Sequence, residues 1–263
     1  MFYVEDVFSL SQKIGHTENG DSAFMLSLST NPAAKDNLFV FCVLDGISTE
    51  NDKYSSTLAS KIISKKLCSL FSDTTKLCIM SQQERMLYIY SALKDAILSV
   101  DRRLCEEASP CGTTISATVL FDGYLYTANV GDSPIFAIDT KNRTITDLYT
   151  DHSEIAPMVR DGRLSEKQAL CHPRKSCITK AVGGRERLSE TDIATKSFEL
   201  NSDCILLVGS DGALRVLISK KLLPLCIKNR SYMKQLCERL FACVKKHKGA
   251  DDFTVIAAHI KEI

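Results

Sequence analysis

No apolar stretch of this chain reaches the roughly 18 residues that a membrane-spanning helix needs, so no span is expected. No secretory leader is expected either. Residues 1–13 carry Glu5 and Asp6 where basic residues would stand, and no apolar core follows. The expected location is the cytoplasm, or another cytosol reached without a cleavable signal peptide. Charge of one sign is also lacking: 33 Lys and Arg against 32 Asp and Glu leave +1. That balance excludes the basic footprint of a nucleic-acid binder. No CxxC pair occurs among the 11 cysteines, and an odd count without a leader argues against a disulfide framework. Cys42, Cys68, Cys105, Cys177, Cys204 and Cys237 sit in apolar patterns and read as small buried hydrophobes. Cys171-His172 is the only adjacent Cys-His pair, a weak zinc signal. Repeats, low-complexity tracts and dividing linkers are absent too. The 263 residues, 44% hydrophobic, are therefore expected to form one domain, acting as a monomer.

What is present begins with two apolar runs that end in the same dipeptide. Residues 39–44 stop at Asp45-Gly46, and residues 205–210 stop at Asp211-Gly212. Short runs of this kind bounded by Gly read as buried strands. Further strand-like runs cover 23–29, 113–121, 124–130, 135–138, 193–198 and 253–260, with Asp122-Gly123 as the strongest hairpin signal. Helices are predicted over 55–71, 82–108 and 232–246 from apolar stripes of period 3 and 4. Many strands joined directly by turns imply antiparallel sheets. Runs apolar on both faces imply sheets covered on both sides. An α+β, four-layer α-β-β-α sandwich with two antiparallel sheets satisfies both expectations.

Carboxylates at strand tips stand on a rigid scaffold beside exposed loops. Brought together, they repel unless a cation lies between them, and hard oxygen donors suit Mg²⁺ or Mn²⁺. Besides Asp45 and Asp211, the candidates at strand–turn junctions are Asp21, Asp132, Asp251 and Asp252. Taken singly, each is an ordinary turn aspartate.

Ten segments in order widen the reading. They are Asn19-Gly20-Asp21-Ser22, Val43-Leu44-Asp45-Gly46, Cys111-Gly112-Thr113-Thr114, Ala128-Asn129-Val130-Gly131-Asp132-Ser133, Thr150-Asp151-His152-Ser153, Val159-Arg160-Asp161-Gly162, His172-Pro173-Arg174, Thr179-Lys180-Ala181-Val182-Gly183, Leu207-Val208-Gly209-Ser210-Asp211-Gly212 and Asp251-Asp252-Phe253-Thr254-Val255-Ile256. In these segments the chain resembles the metal-dependent protein Ser/Thr phosphatases (the PPM family, type 2C), most of all their compact bacterial members.

The resemblance implies a binuclear Mn²⁺ or Mg²⁺ centre between the two sheets and a phosphorylated protein as substrate. In it, Asp45 matches the carboxylate that bridges both ions, and the Gly46 carbonyl matches a ligand of one. Asp211 and Asp251 match ligands of the other, Asp21 an acid acting through bound water, and Asp132 the ligand of a third, weaker ion. A bridging hydroxide would attack phosphorus in line, with no protein nucleophile. Residues 151–184 resemble the flap beside the metals, within which Ser165-Glu166-Lys167-Gln168 is a capping box that starts a short helix.

The chain departs from the family pattern at four places. Gly20 stands where Glu or Gln is usual, and the upstream phosphate-gripping Arg is absent, which leaves His16 and Lys13 as the nearby cations. Ile47-Ser48-Thr49-Glu50 replaces a second Gly pair after Gly46, and Pro134 replaces an Arg after Gly-Asp-Ser. His16 is the candidate for substrate phosphate. These departures leave open an alternative, a weak or inactive module of the same fold that binds a partner protein. His152 is expected to hydrogen-bond neighbouring backbone rather than act in catalysis.

Overall fold

The computed structural model describes residues 2–14, 18–29, 37–47, 55–106, 112–184, 186–215, 217, 219–247 and 251–263. In chain order, strands β1 (Phe2–Gln12), β2 (Ser22–Ser29), β3 (Asn37–Leu44) and β4 (Gly46–Ile47) precede helices α1 (Ser55–Leu70), α2 (Thr75–Ile79) and α3 (Gln82–Cys105). Strands β5 (Gly112–Thr113), β6 (Ile115–Phe121), β7 (Tyr124–Val130), β8 (Ile135–Asp139) and β9 (Thr144–Asp147) follow, then the short helices α4 (Ala156–Arg160) and α5 (Glu166–Leu170). Strands β10 (Ala194–Glu199) and β11 (Cys204–Gly209), helices α6 (Asp211–Leu214), α7 (Ser219–Lys228) and α8 (Met233–Val244), and strand β12 (Phe253–Glu262) complete the order.

The strands form two five-stranded antiparallel sheets, β1-β12-β11-β8-β9 and β10-β7-β6-β3-β2, with β4 and β5 as a separate ribbon. Three apolar cores mark the layers. One joins β3, β6 and β7 to α1 and α3 through Val40, Cys42, Ile63, Leu93, Ile97 and Val119. A second joins β11 and β12 to α6, α7 and α8 through Leu207, Val255, Leu214, Leu222, Leu236 and Leu240. The third lies between the sheets, where Phe41, Val43, Leu206, Val208, Ile256 and Ala258 meet. Adjacent residues of β3 point into different cores, which explains why its run is apolar at every position. The expected α-β-β-α sandwich is the one found.

Local signals worked where the chain itself closes the contact. Asp122 and Gly123 take φ of 47° and 75°, the left-handed pair that suits a tight hairpin between β6 and β7. Ser81 and Glu84 form the capping box that starts α3.

The structure corrects four expectations. Of the cysteines expected to be small buried hydrophobes, Cys42, Cys204 and Cys237 are buried, but Cys68 and Cys105 are half-buried and Cys177 is exposed. The predicted strand over 113–121 breaks at Thr114, because Gly112-Thr113 leaves the sheet to pair with Gly46-Ile47. Residues 2–12, read only for leader character, form an edge strand along β12. Its Asp6 carboxylate accepts from the Met233 N–H at 2.7 Å, closing the start of α8. Helix α7 was missed because Pro224 lies inside it. Among the described residues, no helix is long and apolar enough to cross a membrane.

Candidate metal centre

Asp45 lies just beyond β3 and Asp211 just beyond β11, so two strands from opposite sheets bring these carboxylates to one edge of the sandwich. The Asp211 N–H faces Asp45 Oδ2 at 3.4 Å. The backbone around Asp45 is clamped from β5 and β6. The Thr114 N–H and the Thr113 hydroxyl donate to the Asp45 carbonyl at 2.8 and 2.9 Å. Thr114 Oγ1 accepts from the Asp45 N–H at 3.2 Å and meets Ser133 Oγ at 2.6 Å. The Gly-Thr-Thr segment is therefore the mount of Asp45 and adds no ligand of its own.

The other sheet has a matching mount. Ser210 and Thr254 exchange hydrogen bonds, from the Ser210 N–H to the Thr254 carbonyl at 2.9 Å and from the Thr254 N–H to Ser210 Oγ at 3.1 Å. A β-carbon on Gly212 would lie 2.2 Å from the Asp252 carbonyl, so only glycine lets α6 start against 251–252. One on Gly46 would lie 2.4 Å from the Gly20 carbonyl. That close approach holds the Asp21 loop against the Asp45 loop. Asp252 ties the same loop down by accepting from the Ile14 and Gly20 N–H groups, both at 2.8 Å. Of the neighbouring pair, Asp252 clamps backbone and also repels Asp21, while Asp251 acts on Asp45 and Asp211.

Electrostatics join these carboxylates. Burial, then repulsion from Asp21, Asp211, Asp132 and Asp251, holds the Asp45 carboxyl well above the usual carboxylate range. Burial pushes Asp21 up to about 7, against hydrogen bonds from Thr254 and Ser210 that lower it. Asp132 is likewise pushed up to about 7, first by burial and then by Asp211. Asp211 is raised by burial and by Asp251. A group of carboxylates that costs this much to ionise has its charge stabilised when a cation enters. Buried Asp21 Oδ2 has no hydrogen-bond partner, as expected of an oxygen meant for water or an ion. Among the described residues no three His, Cys, Asp or Glu side chains close into a ready-made cage. The donors share a basin instead of one coordination point. An all-oxygen set with backbone carbonyls and room for water fits Mg²⁺ or Mn²⁺ and does not fit zinc.

One residue that sequence reasoning missed stands in this basin. Arg215 follows the single turn of α6, with its N–H on the Asp211 carbonyl at 3.0 Å. Its guanidinium is ion-paired with Asp132, lies 3.3 Å from Asp151 Oδ2 and reaches Ser153 Oγ at 3.2 Å. The signal was present: a basic residue four places after Asp211 lies one helical turn away, on the same face. His152 is structural, as expected. Its Nδ1 accepts from the Gly131 N–H at 3.1 Å, and its backbone N–H donates to the Gly131 carbonyl at 3.1 Å. Burial lowers its pKa, which suits this neutral acceptor role. His16 lies outside the described residues.

Residues 151–184 cover one side of the basin. Ser165 and Gln168 form the expected capping box of α5. The segment is anchored by antiparallel bridges of Ser153 with Ile178 and of Thr113 with Val182. Asp101, buried in α3, accepts from the Gly183 and Leu188 N–H groups at 2.8 and 3.0 Å. A cavity of about 550 Å³ opens beneath it, lined by Asp211, Asp251 and Arg215 together with Arg160, Lys175 and Lys196.

The protein phosphatase 2C family model matches residues 10–155. The serine/threonine phosphatase stp of Listeria monocytogenes is 26% identical over 84% of this chain and 84% of its own. The crystal structure of the serine/threonine phosphatase Stp1 from Staphylococcus aureus superposes with a TM-score of 0.78 at 24% identity, covering 99% of this chain and 96% of that one. The catalytic domain of the phosphatase PstP, crystallised in complex with two manganese ions, superposes with a TM-score of 0.73 at 16% identity over the whole of both chains.

Proposed function

The chain belongs to the protein phosphatase 2C family, the protein serine/threonine phosphatases, and we propose that it hydrolyses phosphoserine and phosphothreonine with a pair of divalent cations held by Asp21, Asp45, Gly46, Asp211 and Asp251. When bound, such cations supply Lewis acidity that activates water and offsets phosphoryl charge. The observation that carries this reading is the convergence of Asp45 and Asp211 from opposite sheets on two rigid mounts, with Asp21 and Asp251 close enough to repel Asp45. A protein spends stability to hold like charges together where a ligand of opposite charge is part of its working state.

This chain's own residues have separate tasks in that reading. Asp45 and Asp211 would hold the ions, and the Gly-Thr-Thr and Ser210–Thr254 mounts fix where these two carboxylates stand at the seam of the two sheets. Glycine at 46 is needed because a β-carbon there would come within 2.4 Å of the Gly20 carbonyl, and the Gly46 carbonyl is the backbone oxygen assigned to an ion in this reading. The 151–184 segment is the flap. Its Arg160 and Lys175 line the cavity, where they attract the phosphate and acidic flanks of a phosphopeptide. With no arginine upstream of Asp21 to grip phosphate, these cations carry the orienting work.

Release of phosphate from a phosphothreonine peptide tests the proposal. Turnover should require Mn²⁺ or Mg²⁺, stop in chelator, and fall to background in Asp211→Asn. Turnover that persists in excess chelator refutes it. Metal uptake without turnover favours the partner-binding module instead.

A further inference from the structure

The acidic basin differs from one end to the other. The charges that act most on Asp45 are all carboxylates, whereas those on Asp132 and Asp211 include the guanidinium of Arg215. That guanidinium is itself largely buried, its side chain 16% exposed, and Asp132 is 4% exposed. Its donors are spread over Asp132, Asp151 and Ser153. Asp151 is turned toward it by accepting from the Ser153 N–H at 2.8 Å, and Asp132 sits on the loop that His152 ties at Gly131. This is a built site for a planar, always-charged group.

We propose that Arg215 is a resident cation at the Asp132–Asp151 end of the basin, standing where a divalent ion would otherwise bind. Asp132 is then a partner of Arg215 and not a metal ligand, and ions are confined to the group around Asp45 and Asp211. The inference rests on the two-cation reading above and narrows it. The physics is competition for one carboxylate. An ion entering at Asp132 would have to expel a guanidinium that cannot lose its proton and whose arm is fixed to α6, leaving a buried charge without its partner. An octahedral ion also needs several oxygens on one side, and one Asp132 carboxylate oxygen is already taken by Arg215.

The test is Mn²⁺ stoichiometry on the full chain, read by paramagnetic resonance titration and by elemental analysis, for wild type, Arg215→Gln, Arg215→Lys and Asp132→Asn. Arg215→Gln should take up roughly one ion more per chain than wild type, because the vacated carboxylates now lack a cation. Arg215→Lys and Asp132→Asn should keep the wild-type count. Equal, non-zero uptake by wild type and Arg215→Gln would overturn this inference and leave the metal reading standing. An ion lost in Asp132→Asn would do the same, and that arm decides alone if Arg215→Gln does not fold. No uptake by any of the proteins would overturn both.

Discussion

Arg85 and Arg215 both bury a guanidinium against an aspartate, but the rest of their surroundings differ. Arg85 donates to the Leu77 and Met80 carbonyls at 3.0 and 3.3 Å, lies 5.1 Å over the Phe121 ring and pairs with Asp122. Asp122 is 56% exposed, so water solvates its charge. Arg215 meets two carboxylates, with Asp211 nearby, and neither Asp132 nor Asp151 is open to solvent to that extent. The first arginine is satisfied by neutral acceptors and one wet carboxylate, and it pins the start of α3 to the β6–β7 hairpin. The second sits in excess negative charge. The same residue pair therefore anchors a fold in one place and balances a charged basin in the other, and the number and exposure of the surrounding carboxylates, with the neutral acceptors of Arg85, distinguish them.

That comparison can be broken or sharpened by experiment. The largest effect should come from Asp211→Asn, which lowers turnover by about 10³-fold, or ~4 kcal/mol of barrier. Single-turnover phosphate release measures it, and a loss below tenfold would remove Asp211 from the centre. Next, Arg85→Ala should destabilise the protein by about 3 kcal/mol in urea titrations, equally with and without Mn²⁺. Arg215→Gln should lose a comparable amount in chelator and regain most of it with Mn²⁺. Identical behaviour of the two variants would erase the distinction drawn above.

Mn²⁺ itself, at about 100 times its dissociation constant, should stabilise wild type by about 2.7 kcal/mol. For a chain of this size that is a rise in Tm on the order of 5–10 °C. No shift would mean no site.

The pH dependence is smaller, and its sign follows from linkage. Asp21 and Asp132 are raised to about 7 in the folded state, so the native protein binds more protons than the unfolded chain above the ordinary carboxylate range. Their contribution is fully present below the unfolded pKa and is lost as pH rises through about 7. His152 and His259 are lowered by burial and act oppositely, but only up to their unfolded value near 6.5. In chelator, Tm should therefore fall between pH 6.5 and 8, and Mn²⁺ should flatten the slope. A rise over that window contradicts the shifts. The smallest effect belongs to Ser165→Ala, which removes the cap of exposed α5 for about 1 kcal/mol. It should speed hydrogen exchange in 166–170 and leave the urea midpoint unchanged.

Much of the architecture was legible because its signals are local. Period-2 and period-3.6 patterns located most of the strands and the three long helices, and Asp122-Gly123 located the hairpin. Edge strand β1 was obscured by mixed polarity, since only one of its faces is covered. The tips at Asp45 and Asp211 stood out because each follows an apolar run that must be buried on both sides. What those runs do not encode is which loops face them.

By itself, the sequence determined the layers of the sandwich, the carboxylates at its strand ends and the lack of an apolar stretch of about 18 residues, because these follow from spacing along one segment. Only the tertiary structure decided that Asp252 clamps the Gly20 loop and that Gly-Thr-Thr mounts Asp45. It also decided that Arg215 enters the basin at Asp132. Each of these depends on two segments far apart in the chain meeting within hydrogen-bond distance. Burial at that meeting point sets the charge balance, and no local pattern records it.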